Sequence, residues 1–181
     1  EDPEHIIDVS FKDVGDRLIL VGTTYNELTG TEFQKLTTKK VEGKPPAILL
    51  ETEKAVQDLV LAAIHEGLVA SAHDLSEGGL AVAVVESALA GAKGAEIELS
   101  GDLSAEATLF SESQSRVLLT VKPQAVAALC KLASAHDVKC ADIGAVAEGR
   151  IAISYNGEEL LDLELSKLEK TWREAIPCAM E

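Results

Sequence analysis

Hydrophobic and polar positions change their period several times along the chain, and each change predicts a helix or a strand. Apolar residues recur at intervals of three and four between Val56 and Ile64, which predicts an amphipathic helix with Thr52 as its N-cap and Gly67 at its end. The stretch 78–92 is apolar on nearly every side, which is typical of a helix in the protein interior. Further helices are predicted over 32–36, from Pro123 onwards and over 166–176.

Strands are predicted where apolar residues alternate with polar ones or follow each other over a few positions. They cover 17–21, 68–76, 94–99 and 116–121, with two or three more within 141–165 around an Asn156-Gly157 hairpin turn. The strand 116–121 is expected to be central in its sheet. Because strands and helices are mixed in order, we expect an α/β fold, an α+β sandwich in which helices pack against a mixed β-sheet. Residues 1–181 are expected to form a single domain.

Composition and charge exclude several classes of function. The chain carries 16 Lys and Arg against 31 Asp and Glu, a formal net charge of −15, which repels polyanions and argues against a nucleic-acid partner. It has no apolar run long enough to span a membrane, and its first residues lack the basic start and apolar stretch of a signal peptide. We therefore expect a cytoplasmic protein with no membrane partner.

The three cysteines, Cys130, Cys140 and Cys178, are expected to be reduced thiols, because their number is odd and their surroundings are ordinary. The alternative is a zinc cluster, since Cys130, His136 and Cys140 fall close together in the sequence. No CxxC pair and no fourth ligand accompany them, so the thiol interpretation is preferred.

The stretch "SAHDLSEGGLAV" places polar chemistry directly before the apolar helix. Its candidate residues are His73, Asp74, Ser76, Gly78 and Gly79. A helix start presents unpaired N–H groups and a partial positive charge, so the two glycines could face an anion, with His73 and Asp74 on the rim of the same cleft. The alternative is structural: Asp74 or Ser76 caps the helix, His73 is a hydrogen-bonded core histidine, and the glycines allow close packing.

A second polar stretch, "LFSESQSRVLLTV", precedes the expected central strand. Here Glu112, Ser113 and Arg116 are the candidates, because a guanidinium can grip a phosphate or carboxylate with two hydrogen bonds. The alternative is an ion pair between Arg116 and Glu112 that fixes the loop. A third and weaker stretch, "LTGTEF", contains Gly30 and Thr31 in a turn and Glu32, which is either functional or solvated.

Taken in order, these stretches resemble the C-terminal domain of phosphoribosylformylglycinamidine synthase of the small-subunit type, within the aminoimidazole ribonucleotide synthetase-like superfamily. The resemblance is carried by "ELTGTEF", "SAHDLSEGGLAVAVVESALAG", "GAEI", "LFSESQSRVLLTV" and "LEKTWREAIP". The HD-x-S-x-GG core is shared across the superfamily, whereas the order of all the stretches is typical of the synthase.

The resemblance implies that residues 1–181 are the C-terminal domain of a larger enzyme, whose N-terminal nucleotide-binding domains are absent from this sequence. That carbon–nitrogen ligase of purine biosynthesis converts formylglycinamide ribonucleotide, ATP and glutamine-derived ammonia to formylglycinamidine ribonucleotide, ADP and phosphate. The resemblance implies ATP and Mg²⁺ as cofactors of the intact enzyme, whereas the fragment is expected to be inactive and to require neither. The implied partners are formylglycinamide ribonucleotide, ATP, a glutaminase subunit or domain, and the N-terminal domains of the full-length chain.

By matching position, the resemblance implies a cleft lined by the first stretch, with the second stretch across from it. The residues concerned are His73, Asp74, Ser76, Gly78 and Gly79, and then Glu112, Ser113 and Arg116. Asp74 is the one residue considered as a Mg²⁺ ligand, since the metal-binding carboxylates are expected in the N-terminal domains. The resemblance leaves open whether this cleft is catalytic or its pseudo-symmetric structural counterpart.

Two alternatives to a synthase domain stay open on the sequence. One is a structural and docking module that holds a non-reacting nucleotide or contacts the glutaminase partner. The other is a different member of the superfamily, such as a dehydratase, a kinase or selenophosphate synthetase.

Overall fold

A computed structural model describes the backbone of residues 6–179 and the side chains of residues 6–175. The strands are β1 Arg17–Val21, β2 Val69–Asp74, β3 Gly94–Leu99, β4 Val117–Val121, β5 Cys140–Ala147, β6 Arg150–Tyr155 and β7 Glu158–Glu164. The helices are α1 Glu32–Thr38, α2 Leu50–His65, α3 Gly79–Gly91, α4 Ala105–Phe110, α5 Val126–Ala135 and α6 Leu165–Ala179. A 3₁₀ turn at Pro123–Ala125 precedes α5.

The seven strands form one mixed sheet in the order β2-β4-β1-β5-β3-β6-β7. Only the β3–β6 pair is parallel, and the other neighbours are antiparallel. Strand β4 pairs with β2 on one side and β1 on the other, so the expectation that this strand is interior is confirmed. The expected α/β class, with helices packed on a mixed sheet, is confirmed as well.

Two hydrophobic cores lie on opposite faces of this sheet. Helix α3 packs on one face with α4 and α6 outside it, and Leu18 and Leu20 of β1 point into this first core. Helices α2 and α5 cover the other face, where Ile19 and Val21 point. Because successive side chains of a strand alternate between faces, β1 is apolar at both sets of positions.

Helix α3 is interior, as its all-apolar pattern predicts, because the sheet lies beneath it and α4 and α6 pack against it. Helix α2 ends as expected: Gly67 has φ +67°, and Leu68 N–H donates to Ala63 O at 3.0 Å. This is the Schellman ending, which satisfies the last carbonyls of a helix.

The start of α2 differs from the expectation. Its N-cap is Leu49 rather than Thr52, and no side chain caps it. Glu51 and Glu53 lie in the first turn instead, where their charge complements the helix dipole. The apolar stripe used to locate the helix begins only at Val56, so it could not mark this first turn.

Helix α4 and the turn between β6 and β7 are both short, and the sequence pattern predicts only the turn. Helix α4 was not expected, because six residues are too few to display a helical period, although Ser104 caps it by accepting from Ala107 N–H at 3.1 Å. The hairpin turn was expected and is confirmed: Asn156 and Gly157 join β6 to β7 with φ of +52° and +82°, as a type I′ turn requires.

Within residues 6–179, none of the helices combines the length and the apolar character that crossing a membrane requires.

Candidate functional site

The fold brings the first two polar stretches together at one end of β2 and β4. Strand β2 ends at Asp74, and its neighbour β4 begins at Val117, opposite it in the antiparallel register. Leu75 N–H donates to Arg116 O at 3.0 Å, so the turn 75–78 and the loop 111–116 are hydrogen-bonded to each other. The two sets of candidate residues are therefore neighbours, while their contact with a ligand stays a prediction.

Glu112 occupies the place where a bound anion was expected. Its Oε1 accepts from Gly78 N–H, at the N-cap of α3, and from Glu32 N–H, the first residue of α1, each at 2.9 Å. Only 9% of Glu112 is exposed. The N-terminus of α3 thus has a carboxylate of the protein itself at Gly78, and one side chain joins two helix starts.

Gly79 is a packing residue in this geometry. Its φ is +63°, and a Cβ atom there would lie 2.4 Å from Ser111 O and 2.9 Å from Leu109 O. Its N–H donates to Ser76 O at 3.1 Å. The glycine therefore allows the start of α3 to touch the backbone after α4, which matches the structural alternative for this pair of glycines.

Arg116 is 2% exposed, and each of its three nitrogens donates to a protein oxygen. Nε donates to Ser113 O at 3.0 Å, Nη1 to Thr24 Oγ1 at 3.1 Å, and Nη2 to Ser111 O. The expected bidentate grip on a phosphate does not fit a side chain so enclosed, and the alternative ion pair with Glu112 is not formed. The guanidinium fixes its own loop instead.

Burial lowers the pKa of the Arg116 guanidinium to about 10, and the nearby Glu27 carboxylate opposes this shift, so the group stays protonated at neutral pH. Glu27 Oε1 accepts from Ala47 N–H at 2.8 Å. Its Oε2 is buried and has no hydrogen-bond partner in the part of the chain that the structure describes. The two opposite charges therefore compensate each other in a largely desolvated region.

Ser113 and Ser111 hold the segment that follows β1. Ser113 Oγ accepts from Tyr25 N–H at 3.0 Å, and Ser111 Oγ accepts from Glu27 N–H at 3.1 Å and donates to Tyr25 O at 2.6 Å. Both serines are fully buried. The sequence analysis did not single out Ser111 or Glu27, because a serine beside a candidate glutamate carries no local sign of being buried.

The His73 side chain lies on the face of the sheet that α3 covers. Its Nδ1 lies 3.1 Å from Ser87 Oγ on α3, and its Nε2 lies 3.3 Å from Glu86 Oε2. The side chain is 13% exposed. This is the geometry of the hydrogen-bonded core histidine that the sequence left as the alternative.

Asp74 and Ser76 are exposed, unlike the other candidates of these two stretches. A groove of about 400 Å³ lies beside Asp74, between α2 and the adjoining ends of β2 and β4. Val56, Val60 and Ile64 of α2 form its apolar wall, and Asp74 lies on its polar side. Among the candidate residues of these two stretches, Asp74 and Ser76 are the ones whose polar side chains are exposed.

The third candidate stretch forms the beginning of α1. Thr31 is the N-cap: its Oγ1 accepts from Gln34 N–H at 3.2 Å, while Gly30 N–H donates to Gln34 Oε1 at 3.0 Å. The Glu32 carboxylate pairs with Lys35 at 3.0 Å. "TEFQ" is thus close to a capping box, and its Thr and Gln three residues apart are a local sequence signal of this helix start.

A metal centre finds little support in the described residues. No group of three or more His, Cys, Asp or Glu side chains among them could hold a metal ion. Cys130 and Cys140 do come together, but without a third ligand of these types, and the side chain of Cys178 lies outside the described residues. Asp74 by itself does not amount to a Mg²⁺ site.

Replacing Glu112 by alanine is expected to lower the free energy of unfolding by about 2–4 kcal/mol, because the N–H groups of Gly78 and Glu32 lose their acceptor. Glu112→Gln keeps an acceptor oxygen and should lose less. Glu77→Ala is the matched control, since Glu77 is exposed and adjacent to Gly78, and it should stay within about 0.5 kcal/mol of wild type. Urea denaturation of the three variants checks this, and equal losses for both alanine variants would contradict it.

Comparison of the sequence with protein families finds a match over residues 13–156 to the family described as AIR synthase related protein, C-terminal domain. Over all 181 residues the chain is 46% identical to phosphoribosylformylglycinamidine synthase subunit PurL of Caldanaerobacter subterraneus subsp. tengcongensis, of which it covers 25%. The chain therefore spans about a quarter of the length of the curated relatives that it matches.

Solved structures of Thermotoga maritima proteins share this fold. The structure of PurL complexed with FGAR aligns with 92% of this chain, and the alignment covers 30% of the PurL chain. Its TM-score is 0.83 and the sequence identity is 21%. The structure of PurL complexed with ATP aligns with 92% of this chain and 27% of the PurL chain, with a TM-score of 0.74. The structure of PurLQS aligns with 93% of this chain and 28% of the matched chain, with a TM-score of 0.76. Both are 22% identical to this chain in sequence. At these identities the likeness establishes the fold.

Proposed function

The chain belongs to the AIR synthase related protein, C-terminal domain family, and from this we propose that it is the C-terminal domain of a larger ATP-dependent phosphoribosylformylglycinamidine synthase. The observation that carries the proposal is the 46% identity to a PurL subunit along the entire chain. The resemblance stated from the sequence motifs is confirmed by this match. The larger protein would act in purine biosynthesis as a carbon–nitrogen ligase.

In the proposed reaction, the γ-phosphoryl group of ATP passes to the amide oxygen of formylglycinamide ribonucleotide. The nitrogen of glutamine-derived ammonia then bonds to the activated carbon, and phosphate leaves with the former amide oxygen. The PurL structures complexed with FGAR and with ATP support this choice of substrates. The described residues do not form a Mg²⁺ site of their own, so no step is assigned to the metal here.

This domain would supply one wall of a shared site. Asp74 is exposed at the groove, Ser76 is exposed two residues further along the turn, and both would face the ligand. Glu112 and Arg116 would act on that ligand only through the backbone of the turn 75–78, to which both are hydrogen-bonded. The proposed division is therefore between two residues that contact ligand and a buried set that positions them.

The rest of the site would come from the other three quarters of the longer protein. Both proposed ligands carry phosphate groups, whereas this chain has a net charge of −15 and its buried Arg116 is already hydrogen-bonded. Positive groups or metal from the N-terminal domains would have to neutralise the phosphates. We therefore propose that the isolated chain is inactive, that ATP and Mg²⁺ serve the intact enzyme, and that the setting is cytoplasmic.

The test is to make Asp74→Asn and Ser76→Ala in the full-length protein and to measure synthase turnover with ammonia as the nitrogen source. Each variant is expected to lower kcat/KM by about tenfold or more, because a group facing the ligand is removed. Its melting temperature should not change, since both side chains are exposed. Asp58→Asn, an exposed aspartate on α2, is the control and should keep wild-type turnover. Wild-type turnover in both site variants would contradict the proposal.

A docking function is the second candidate, and exposed apolar side chains from α1 to the first residue of α2 favour it. Leu36, Val41, Ile48, Leu49 and Leu50 are 53–75% exposed. Such a surface is typical of contact with another protein surface, either the N-terminal domains or the glutaminase partner. The same assay separates the two candidates, since a domain that only docks would leave turnover unchanged in Asp74→Asn.

A further inference from the structure

Two cysteines that do not line the groove lie in contact with each other. Cys130 Sγ and Cys140 Sγ are 3.6 Å apart, and both thiols are free and half-buried. Cys130 lies in the middle of α5, and Cys140 is the first residue of β5. Neither side chain takes part in the site or in the proposed reaction.

The packing of α5 and the strand pairing of β5 keep the two cysteines in contact. Leu129 and Ala133, which lie on either side of Cys130 along α5, are fully buried in the second core and fix the orientation of the helix. Cys140 pairs with Val21 in the sheet directly beneath. Between the cysteines, Asp137 has φ +54°, and Val138 N–H donates to Ala133 O at 3.0 Å, so the connection is a short, hydrogen-bonded turn.

We propose that Cys130 and Cys140 are a redox modification site, at which a low-molecular-weight disulfide oxidises the pair to a reversible intramolecular disulfide. A covalent S–S bond is about 2.05 Å long, so the two sulfurs must approach by roughly 1.5 Å from their present contact. Side-chain rotation can supply most of this closure, because the helix and the strand already bring the two residues together.

The reaction has two exchange steps. The Cys130 thiolate attacks one sulfur of the small disulfide, and the other sulfur leaves as a thiolate, which gives a mixed disulfide on Cys130. Cys140 then loses its proton and attacks Cys130 Sγ, and the second small thiolate leaves. In total the protein gives up two hydrogens, and the small disulfide is reduced to two thiols.

The order of attack follows from the environment of Cys140. Burial, together with the neighbouring Cys130, raises the pKa of the Cys140 thiol to about 12, so at neutral pH it is almost entirely protonated. Because the thiolate is the nucleophile, Cys140 attacks slowly at neutral pH, and the proposal gives it the second step. The rate of ring closure is expected to rise about tenfold with each pH unit in the neutral to mildly alkaline range.

The disulfide would link α5 to β5 near the start of the segment that follows β1. Ser111 and Ser113 are hydrogen-bonded to that segment. The backbone carbonyl oxygen of Lys139, the neighbour of Cys140, accepts a hydrogen bond from Gly22 N–H at 2.9 Å. Closing a short loop in this place restricts the unfolded chain more than the folded one. The oxidised protein is therefore expected to melt about 5–10 °C above the reduced protein.

The experiment treats the full-length protein with oxidised glutathione and maps its disulfides by mass spectrometry after trypsin digestion without reductant. Cleavage after Lys131 and Lys139 separates the two cysteines, so Cys130 is in peptide 117–131 and Cys140 is in peptide 140–150. The expected product is these two peptides joined by a disulfide, which dithiothreitol releases. A stable glutathione adduct on Cys130, or no linked pair at any pH between 7 and 9, would overturn the proposal.

Serine variants make the assignment specific. Cys130→Ser and Cys140→Ser should each abolish the linked pair, while Cys178→Ser should form it as the wild type does. Circular dichroism of the reduced variants confirms that they are folded. Loss of the link in Cys178→Ser would also overturn the proposal, and a closure rate that is equal at pH 7 and pH 9 would overturn the order of attack.

Discussion

Replacing Arg116 by methionine is expected to lower the free energy of unfolding by about 3–5 kcal/mol, although the methionine side chain is apolar and of similar length. The guanidinium donates to Ser111 O, Ser113 O and Thr24 Oγ1, and all three lose a donor in the variant. The Glu27 carboxylate, which has a buried oxygen without a hydrogen-bond partner among the described residues, also loses its compensating charge. Urea denaturation of the variant and wild type measures the loss.

Arg17→Met is the matched control for this experiment. Arg17 forms an ion pair with Asp142 at 2.7 Å on a solvent-accessible part of the sheet, and such pairs contribute no more than about 1 kcal/mol. The large loss should therefore be specific to Arg116. Equal losses in the two variants, or a stable Arg116→Met protein that no longer binds ATP in its full-length form, would show that Arg116 serves a ligand rather than the loop.

Replacing Gly79 by alanine is expected to lower the free energy of unfolding by more than about 4 kcal/mol, even though alanine is the better helix former. The new Cβ would lie 2.4 Å from Ser111 O, which is backbone and cannot move aside as a flexible side chain would. The φ of +63° adds the strain that any L-residue has in this region. Either the start of α3 or the loop 111–116 must therefore shift.

Gly149→Ala is the control that distinguishes the steric clash of a new Cβ atom from the backbone strain of a positive φ. Gly149 has a similar φ of +55°, but nothing lies within 4 Å of the position its Cβ would take. This control should lose only about 1 kcal/mol, the cost of the left-handed conformation. Thermal or urea unfolding of both variants gives the comparison, and a Gly79→Ala protein as stable as Gly149→Ala would mean that the loop yields easily.

These stability losses would affect how the activity of variants at the candidate site residues is interpreted. Glu112, Ser113 and Arg116 are buried and hydrogen-bonded within the protein, so substitution there is expected to disturb folding before it reports on chemistry. Asp74 and Ser76 are exposed, and their variants report on ligand contact with less interference from stability. A survey of the site therefore needs the unfolding midpoint beside each turnover number.

Much of the fold could be predicted from the sequence because period and turn chemistry are local. The short apolar run of β1, the longer apolar run of α3 and the Asn156-Gly157 turn each predicted the element that the structure contains. The short helix α4 could not be predicted in this way, since six residues show no period. The predicted start of α2 was wrong because no side chain caps the helix and its first turn is exposed.

The polar residues before α3 and before β4 are neighbours, an arrangement that only the family resemblance implied, and their contact with a ligand stays a prediction. The sequence could not tell which polar groups face solvent and which bond to the protein, because aspartate, glutamate and arginine occur in both situations. Thr31 is the exception, since its capping role had a local sequence signal in Gln34.

The sequence by itself determined the α/β class, most of the strands and helices, and the family, because these depend on local patterns and on the order of motifs. Only the tertiary structure decided that the Glu112 carboxylate fills the anion position at Gly78, that Arg116 is enclosed, and that Cys130 touches Cys140. Each of these facts is a contact between segments distant in the sequence or across a turn. Such contacts depend on how the elements pack, which no local pattern specifies.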